Sequence, residues 1–589
     1  MAYSAGFIRW HGSIVRVKSR TVYEVLEETA AAHPERIALQ QPLGGGKYRT
    51  WTWREVRDAV RHIALGLREI GVKQGDIVAL QSETRAEFYL ADLGVMSAGA
   101  VAAALYTSLP YPDQARTLEA SDARVVFVEN IKIKEAFETA GISNIQWILL
   151  TGEAEGLPTL EQIRIAGERR LAEDSQAFER IRTTIADSDT AVLYMTSGAT
   201  GEPKMSLATH RALVSNMDMA PAALPLTPED STIAFLPSAH IAQRVVVELV
   251  PVRLGCCVWF SESLSRLPNE LRSIRPTFFL APPRVWERVY STISNEIRKR
   301  PAAVRRLFYM GVGAGSEASR RRQLGKPIPS WLAASLKIFD RLVFKKIRQR
   351  LGGRIRLAAS GAAPLGKDLA EFYASIGLPL IEGYGLTEGG VAAFNPLDRP
   401  KPGSIGKLLP GVEARIEEDG ELMLRSPCLF SGYYKDSEST AAVLRDGWLA
   451  TGDIAEVDAD GYFYITGRKK ELIVSSNGKK IYPARIESLF KREPLINQVL
   501  LIGDRMPYVT ALFTANGNSA EAQLAIARAV ANVNTQLASF EQIRKFRILD
   551  RDFSIDYGEL TPTMKVRRNR VLENHRALIS EMYMGRELE

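Results

Sequence analysis

Several short segments of the chain combine glycines with hydroxyl, carboxylate or lysine side chains, the groups that proteins use to hold phosphate esters. The first segment runs from Tyr194 to Lys204, and its candidate phosphate contacts are Thr196, Ser197, Gly198, Thr200, Gly201 and Lys204. Backbone N–H groups and hydroxyls of such a loop donate to phosphate oxygens, and Lys204 supplies positive charge. No Gly-Lys-Ser/Thr follows the second glycine, so this is not a Walker A loop. The segment predicts a phosphate-binding turn, with an ordinary strand-to-helix turn as the alternative.

A second segment places an aromatic ring, a hydroxyl and a carboxylate beside two glycines. It contains Tyr384, Thr387 and Glu388. These groups are suited to stacking on a base, contacting a phosphate and holding Mg²⁺. The alternative is a helix start, in which Thr387 and Glu388 are N-terminal capping groups.

The third candidate is a carboxylate and a guanidinium on either side of a hairpin signal. Asp453 and Arg468 flank the turn sequence Asp460-Gly461. Both side chains could reach the hydroxyls of a ribose, and solvated charges on a surface hairpin are the alternative.

The fourth candidate is Lys565, in a short loop near the C-terminal end of the sequence. A lysine on a loop is a mobile charge suited to neutralising an α-phosphate during attack by a carboxylate. In isolation, a basic segment of this kind is more often a solvated surface.

The elements that must position these groups alternate between strand and helix. Short β-branched runs predict strands at Asp76–Leu80, Arg124–Val128, Ala191–Tyr194, Ser231–Leu236, Thr277–Leu280 and Arg354–Leu357. One helix is predicted to begin at the capping box Thr52 to Glu55 and to end at Gly71. This alternation predicts layered α/β architecture with largely parallel sheets. The break at Gly467 predicts a large domain over residues 1–467 and a small C-terminal domain over 468–589.

Together the four segments resemble the signature set of the adenylate-forming superfamily, which includes acyl-CoA synthetases, luciferases and the adenylation domains of peptide synthetases. Their order and spacing match from about Thr21 to Val571. Leu236–Gln243 and Arg356–Leu365 are similar to segments of the long-chain fatty acyl-CoA synthetases. The resemblance implies a small β-barrel-like subdomain within the large α/β domain, and a mobile α+β C-terminal domain.

The resemblance also implies a role for each candidate residue. The loop from Thr196 to Lys204 should hold the β- and γ-phosphates of ATP, Thr387 the α-phosphate and Glu388 a Mg²⁺ ion. Asp453 and Arg468 should bind the ribose. The adenine slot should be formed by Gly361, Ala362, Ala363, Glu382, Gly383 and Tyr384.

Four further roles follow from the same resemblance. Tyr384 should stack on the adenine, and His240 should border the acyl pocket. Lys565 should assist adenylation from the C-terminal domain, and Lys470 should be the hinge about which that domain turns.

The sequence departs from the family pattern at three positions. Ala199 stands where a threonine is usual, Met205 follows Lys204 where a glycine is common, and Ala362 replaces a frequent glycine. Backbone groups supply most donors of the phosphate loop, so a lost hydroxyl should weaken one contact without abolishing the cradle. Ala362 should narrow the adenine slot.

The activity that the resemblance implies is ATP-dependent conversion of a medium to long fatty acid to acyl-AMP, followed by transfer to coenzyme A. Alternatives are a carrier-loading acyl-AMP ligase, a β-lactone synthetase acting on hydroxy acids, an aryl- or amino-acid-activating enzyme, and a silent relative that only binds nucleotide or lipid. The short interval from Glu388 to Asp453 leaves little room for the insertion of carrier-loading relatives.

Composition narrows the setting. The 589 residues are 46% hydrophobic without a long uncharged apolar run, so we expect neither a membrane span nor a secretory signal. Three cysteines, two of them adjacent, exclude a disulfide framework or a CxxC metal site and favour the reducing cytoplasm.

One region of the sequence is strongly basic. Residues 298–356 carry seventeen Lys/Arg against two acids. This charge fits two interpretations equally, contact with the anionic inner face of a membrane or a solvated helical insertion. No nucleic-acid motif accompanies it, so we expect no nucleic acid partner.

Overall fold

The structure, a computed structural model, describes residues 19–197, 203–515, 520–561 and 564–584. Its α-helices are Val22–Ala32, Trp53–Glu69, Ala86–Ser97, Tyr111–Ala120, Ile131–Thr139, Leu160–Glu173, Ala177–Arg182, His210–Ala223, Val250–Leu254, Leu267–Ile274, Pro283–Arg298, Ala302–Gln323, Ser330–Phe339, Lys345–Gln349, Lys367–Ser375, Ser437–Val443, Pro483–Ser488, Ala520–Asn534, Arg568–Asn574 and Arg576–Tyr583. Gln243–Leu249 and Asp340–Phe344 are π-helical, and Lys469–Glu471 and Leu489–Arg492 are 3₁₀ turns.

The largest sheet has seven strands and carries the first candidate segment. In spatial order the strands are Gly432–Tyr433, Pro203–Thr209, Thr190–Ser197, Val101–Ala104, Ile77–Gln81, Val125–Val128 and Gln146–Leu149. The last five are parallel neighbours, whereas Thr190–Ser197 and Pro203–Thr209 form an antiparallel hairpin. Gly198, Thr200 and Gly201 come between these two strands in the sequence and lie outside the described residues.

Two further sheets complete the α/β layers. One has the strands Phe278–Ala281, Leu357–Ser360, Leu380–Leu386, Gly390–Phe394 and Lys407–Leu408 in that order, and the other has Lys47–Thr52, Ile37–Gly44, Cys257–Phe260 and Ser231–Ala234. Of the second candidate segment, Tyr384 lies on Leu380–Leu386, and Thr387 and Glu388 directly follow this strand, which is parallel to one neighbour and antiparallel to the other. Parallel strands between helices confirm the predicted α/β class.

The remaining sheets are antiparallel or mixed and follow later in the chain. A five-stranded antiparallel sheet contains Glu413–Ile416, Glu421–Arg425, Leu444–Arg445, Trp448–Val457 and Phe463–Arg468. The C-terminal part pairs Ile473–Val474 with Lys480–Ile481 and builds a separate sheet from Ile496–Ile502, Val509–Ala515 and Ile543–Leu549. That sheet packs with helix Ala520–Asn534 around its own apolar cluster, which gives the predicted α+β character.

Local sequence signals located some boundaries better than others. The Thr52 hydroxyl accepts from the Glu55 N–H and the Glu55 carboxylate accepts from the Thr52 N–H, so the predicted capping box is present. The strand predicted at Arg354–Leu357 is displaced toward the C-terminus, and the observed strand begins at Leu357. Two consecutive glycines before it adopt positive φ and hold the chain in a turn, and the Arg356 side chain is bound to Asp230.

Helices Trp53–Glu69 and Leu160–Glu173 approach each other through a pair of glycines. A Cβ added to Gly167 would lie 1.8 Å from the His62 carbonyl oxygen, and one added to Gly66 would lie 2.0 Å from the Ile163 carbonyl oxygen. Both obstacles are backbone atoms, which cannot rotate away. The absence of side chains at these positions therefore sets the spacing of the two helices.

Among the described residues no helix is both long and apolar enough to cross a bilayer. The basic stretch 298–356 is largely helical, and helix Ala302–Gln323 packs on Lys367–Ser375.

We expect Gly167→Ala to lower the melting temperature by several degrees, since overpacking a close contact costs about 1–3 kcal/mol. Gly313→Ala is the matched control, because Gly313 is also helical but its added Cβ would meet nothing within 4 Å. Alanine should leave this position neutral or more stable. Equal melting temperatures for the two variants would contradict the assigned helix contact.

Candidate active site

One cleft of about 4460 Å³ gathers most of the residues that the sequence singled out. Those lining it are Lys204, His240, Gly361, Ala362, Ala363, Glu382, Gly383, Tyr384, Thr387, Glu388, Asp453, Arg468, Lys470 and Lys565. They come from three different sheets and from the C-terminal part of the chain, so the fold converges residues that are far apart in sequence. Their individual roles remain predictions.

Asp453 is a buried carboxylate of the cleft with two side-chain partners. It lies directly opposite Arg468 on the neighbouring strand, which explains how the hairpin brings the two together. The Arg468 Nε forms an ion pair with Asp453 Oδ1 at 2.9 Å, and the Tyr384 hydroxyl donates to Oδ2 at 2.6 Å. Asp453 is only 2% exposed, whereas Arg468 keeps a solvent-facing surface. Burial, reinforced by Asp453, raises the Tyr384 pKa, so the phenol stays protonated and donates.

The lysine of the first segment is joined to the carboxylate of the second through an aromatic ring. Lys204 Nζ donates to Ser439 Oγ at 3.0 Å and lies 4.7 Å from the centroid of the Tyr433 ring. The Tyr433 hydroxyl donates to Glu388 Oε1 at 2.7 Å. One tyrosine thus contacts a cation with its ring and a carboxylate with its hydroxyl, and all three side chains line the same cleft.

Thr196, Ser197 and Lys204, three of the predicted phosphate contacts, lie on the two strands of one hairpin. The backbones of Thr196 and Ser197 pair with Lys204 and Pro203 in the antiparallel hairpin, so Lys204 is held at its end. Gly198, Thr200 and Gly201, the remaining predicted contacts, lie outside the described residues.

The predicted adenine slot is a close meeting of two glycine-containing segments. A Cβ on Gly383 would lie 2.5 Å from the Phe394 ring, and one on Gly361 would lie 3.4 Å from the Gly383 carbonyl oxygen. Ala362 adopts φ +70°, in the left-handed region that favours glycine. For an alanine this conformation costs roughly 1–2 kcal/mol. The departure from the family pattern noted at Ala362 is therefore a strained backbone position at the edge of the slot.

Glu382 supports the predicted adenine slot through a buried hydrogen bond. Its Oε1 accepts from the Leu365 N–H at 2.9 Å, and the residue is 7% exposed. Burial raises the Glu382 pKa to about 8. The carboxyl group therefore holds the 361–365 loop against the neighbouring strand.

His240 lies where the cleft meets the π-helix Gln243–Leu249. Its Nδ1 accepts from the Ala242 N–H at 3.1 Å, so in the neutral ring the proton is on Nε2. Burial, and secondly the charge of Lys565, lowers the His240 pKa to about 3. The imidazole is neutral at physiological pH and adds no positive charge to the cleft.

Lys565 reaches the cleft from a tight turn in the C-terminal part. Leu560 and Val566 form a β-bridge across this turn, and the Thr561 hydroxyl accepts from the Lys565 N–H at 3.0 Å. The residue keeps an exposed surface, yet desolvation in the cleft and the nearby Arg468 lower the Lys565 pKa to about 8. An anion bound beside it would favour the charged ammonium.

Profiles of known families match both parts of this chain. The profile of the AMP-binding enzyme matches residues 26–434, and that of the AMP-binding enzyme C-terminal domain matches residues 470–587. The chain belongs to the AMP-binding enzyme family. Its matched regions contain the cleft residues described above except Asp453 and Arg468, which lie between the two matches.

Curated relatives of this AMP-binding chain extend along nearly its whole length. Long-chain-fatty-acid–CoA ligase FadD15 of Mycobacterium tuberculosis is 35% identical, covering 92% of this chain and 94% of its own. Fatty acyl-CoA synthetase A of Dictyostelium discoideum is 28% identical, covering 96% and 91%.

Solved structures share the AMP-binding fold at lower identity. The adenylation domain of a carboxylate reductase from Mycobacterium chelonae has a TM-score of 0.74 at 20% identity, covering 96% of this chain and 91% of its own. The anthranilate CoA ligase AuaEII in complex with anthranoyl-AMP has a TM-score of 0.73 at 19% identity, covering 95% and 98%.

Sequence reasoning missed Tyr433 and Ser439. Tyr433 is 45 residues from Glu388, and Ser439 is 235 residues from Lys204. An aromatic pair after Gly432 is the only local signal. Tertiary structure alone gives Tyr433 its two partners.

A buried polar cluster behind His240 was also missed. Arg244 donates to Asp92, both side chains being fully buried, and the Arg244 guanidinium lies 5.4 Å from the centroid of the Tyr194 ring. Gln243 Nε2 donates to the Tyr89 hydroxyl at 2.8 Å. Polar residues in an otherwise apolar helix were the available signal. The cluster ties the helix after His240 to the strand that leads into the phosphate loop.

We expect Ala362→Gly to raise the melting temperature by a few degrees, because glycine adopts positive φ without the steric cost of a Cβ. Ala363→Gly is the control, since Ala363 is not among the residues with positive φ, and the added backbone entropy should lower its stability. Thermal unfolding of both variants measures the difference. A loss of stability in Ala362→Gly equal to that in the control would contradict the strain.

Proposed function

We propose that this chain is an AMP-forming fatty acid–CoA ligase. It would convert a medium or long fatty carboxylate and ATP to acyl-AMP and pyrophosphate, then transfer the acyl group to coenzyme A. The supporting observation is the placement of Lys565 in one cleft with Lys204, Glu388, Asp453 and Arg468. The long-chain-fatty-acid–CoA ligases among its relatives support the substrate class.

ATP would lie along this cleft. Tyr384 and the 361–363 loop would hold the adenine, with the Tyr384 ring fixed by its bond to Asp453. Asp453 and Arg468 would bind the ribose, because a carboxylate accepts from hydroxyls and a guanidinium donates to them. Lys204 would neutralise the β- and γ-phosphates.

The donor set near Glu388 is suited to Mg²⁺ held jointly by protein and substrate. No cluster of three or more His, Cys, Asp or Glu able to hold a metal occurs among the described residues. Mg²⁺ commonly uses one or two carboxylates together with substrate phosphates and water, so a single glutamate suffices. Glu388 has one oxygen engaged by Tyr433 and a second with which to coordinate. When bound, the ion would offset phosphate charge.

Adenylation requires charge stabilisation more than covalent help from the protein. A carboxylate oxygen of the fatty acid bonds to the α-phosphorus while the bond to the bridging oxygen breaks, and pyrophosphate leaves. Lys565 and the Thr387 hydroxyl would stabilise the charge that develops on the α-phosphate oxygens. Neutral His240 would border the acyl pocket without binding the carboxylate as an ion pair.

Thioester formation would follow a rotation of the C-terminal part about Lys470, with the domain boundary between 467 and 468. Lys469, just before this hinge, is fixed by ion pairs to Asp419 at 2.6 Å and Glu421 at 2.8 Å. Beyond the hinge, Lys491 Nζ donates to the Pro364 carbonyl at 2.7 Å and pairs with Glu287 at 3.1 Å. Polar contacts of this kind exchange readily with water, which suits a moving domain.

The proposed working compartment is the cytoplasm. Cys256, Cys257 and Cys428 are free thiols, and burial raises the pKa of each to about 12. Such thiols are unreactive and fit a reducing environment.

We expect Lys565→Ala to lower the adenylation rate roughly a hundredfold or more, as for removal of one well-placed transition-state donor. Thioester formation from supplied acyl-AMP and coenzyme A should be spared, because Lys565 would act only on the α-phosphate. Single-turnover measurements of each half-reaction separate the two effects. Lys480→Ala is the control, an exposed lysine of the C-terminal part that does not line the cleft. Equal loss in both half-reactions would contradict the assigned role.

Pyrophosphate release across acetate, medium and long fatty acids, aryl acids, amino acids and 3-hydroxy acids tests the substrate class. We expect repeated turnover, with pyrophosphate release coupled to thioester formation, only when coenzyme A is present. The rate of release should be highest with medium or long fatty acids. Thiol-independent release on hydroxy acids would indicate β-lactone synthesis, and transfer only to a carrier protein would indicate a loading ligase. A maximum on aryl or amino acids, or no release at all, would also contradict the proposal.

A further inference from the structure

Tyr433 contacts two charged groups that are far apart in the sequence. Its ring centroid is 4.7 Å from Lys204 Nζ, and its hydroxyl donates to Glu388 Oε1 at 2.7 Å. Lys204 is the proposed contact of the β- and γ-phosphates, and Glu388 is the proposed ligand of Mg²⁺. The Tyr433 side chain lines the cleft although the residue is only 8% exposed. Both groups that would meet the triphosphate therefore have the same buried neighbour.

The register of the large sheet explains how the ring reaches Lys204. Tyr433 pairs with Ser206 on the antiparallel strand Pro203–Thr209, and Lys204 lies two residues before Ser206. Side chains two residues apart on a strand point to the same face of the sheet. Diagonal neighbours of this kind are roughly 7–8 Å apart, within reach of an aromatic ring and a long side chain. The contact between Lys204 and Tyr433 is therefore built into the pairing of the strands.

A backbone hydrogen bond ties Glu388 to the same segment. The Phe430 N–H donates to the Glu388 carbonyl oxygen at 2.8 Å. Phe430 precedes Tyr433 by three residues, so one short stretch of chain bonds both the main chain and the carboxylate of Glu388. The position of Glu388 relative to Tyr433 is thereby fixed at two points.

The tyrosine is itself held in place. Its N–H donates to the Thr440 hydroxyl at 2.8 Å, and its ring meets the Phe430 ring edge-on, with the centroids 4.9 Å apart. Leu449 completes this small apolar cluster. A tyrosine has only two χ angles, whereas lysine and glutamate lose much rotamer freedom when they are ordered. A fixed tyrosine can therefore order the two longer side chains that it contacts.

We propose that Tyr433 is a positioning residue for the triphosphate end of ATP. Its ring holds the Lys204 ammonium by a cation–π contact, and its hydroxyl orients the Glu388 carboxylate toward the ion. Both charged side chains are ordered before ATP binds, so the cost of ordering them does not reduce the affinity. This role rests on the proposed function, because it takes Lys204 and Glu388 as the contacts of the phosphates and of Mg²⁺.

A purely structural role of Tyr433 predicts a different pattern of binding. Tyr433 belongs to an apolar cluster, and a residue needed only for packing there would affect AMP, ATP and MgATP alike. A residue that positions Lys204 and Glu388 affects only ligands with β- and γ-phosphates or with Mg²⁺. AMP has neither, so its affinity separates the two roles.

Equilibrium binding of AMP, of ATP in EDTA and of MgATP to the full-length protein, without acid or coenzyme A, tests the positioning role. Tyr433→Phe keeps the ring and loses the hydroxyl. It should bind AMP and ATP in EDTA like the unaltered protein but MgATP roughly tenfold more weakly, because a ligating carboxylate loses its supporting hydrogen bond. Tyr433→Leu also loses the ring, so its affinity for ATP in EDTA should fall roughly threefold.

Tyr434→Phe is the matched control. The Tyr434 hydroxyl donates to Asp122 Oδ2 at 2.6 Å, and neither residue lines the cleft, so this variant loses a similar hydrogen bond elsewhere. It should bind all three ligands like the unaltered protein. Melting temperatures of the unliganded variants show whether each is folded. Tyr433→Phe preserves the ring packing, so it tests the role even where Tyr433→Leu unfolds.

A double-mutant cycle tests whether the hydroxyl acts through Glu388. In a Glu388→Ala background, Tyr433→Phe should add little to the loss of MgATP affinity, because the carboxylate that the hydroxyl orients is already absent. An undiminished effect of Tyr433→Phe in that background would overturn the proposal. So would unchanged MgATP affinity in folded Tyr433→Phe, or a loss of AMP affinity equal to the loss for MgATP.

The binding measurements and the pyrophosphate assay fail separately. The expected binding pattern without pyrophosphate release on any acid would support the role of Tyr433 and contradict the ligase. Pyrophosphate release by the unaltered protein, together with unchanged MgATP binding in Tyr433→Phe, would support the ligase and overturn the role of Tyr433. An unaltered protein that binds no ATP would overturn both.

Discussion

The buried carboxylate of Asp453 is the constraint on which the geometry of the cleft depends. It forms an ion pair with the Arg468 guanidinium across the hairpin at 2.9 Å and accepts from the Tyr384 hydroxyl of another sheet at 2.6 Å. A carboxylate that is 2% exposed is stable only where such donors satisfy it. These two contacts hold the antiparallel sheet against the strand Leu380–Leu386. Arg468 lies two residues before the start of the C-terminal family match.

The rest of the cleft repeats this use of buried polar links between distant segments. Glu382 holds the 361–365 loop through the Leu365 N–H, and Tyr433 joins Lys204 to Glu388. Arg244 and Asp92 tie the helix after His240 to the helix Ala86–Ser97. Breaking one partner of a buried pair leaves an uncompensated charge, typically at a cost of about 3–5 kcal/mol. Such links would resist distortion during the proposed rotation of the C-terminal part.

The C-terminal part is attached differently. Lys491 and the 3₁₀ turn Lys469–Glu471 provide polar, partly solvated contacts, and Lys565 enters the cleft from a turn. Desolvation and Arg468 lower the Lys565 pKa to about 8, which makes its charge sensitive to what the cleft contains. A two-step reaction with a moving domain needs a cleft that keeps its shape. It also needs a cation, here Lys565, that can enter and leave that cleft.

The sequence by itself determined the class of the fold, the capping box at Thr52, and the hairpin that joins Asp453 to Arg468. These depend on local patterns: hydrophobic periodicity, turn residues, and the fixed register of a two-stranded hairpin. Only the tertiary structure decided that Ala362 is strained, that Glu382 faces the Leu365 N–H, and that Tyr433 contacts both Lys204 and Glu388. Each of these depends on how separate elements pack, and packing distances between elements are not encoded in any one segment of the chain.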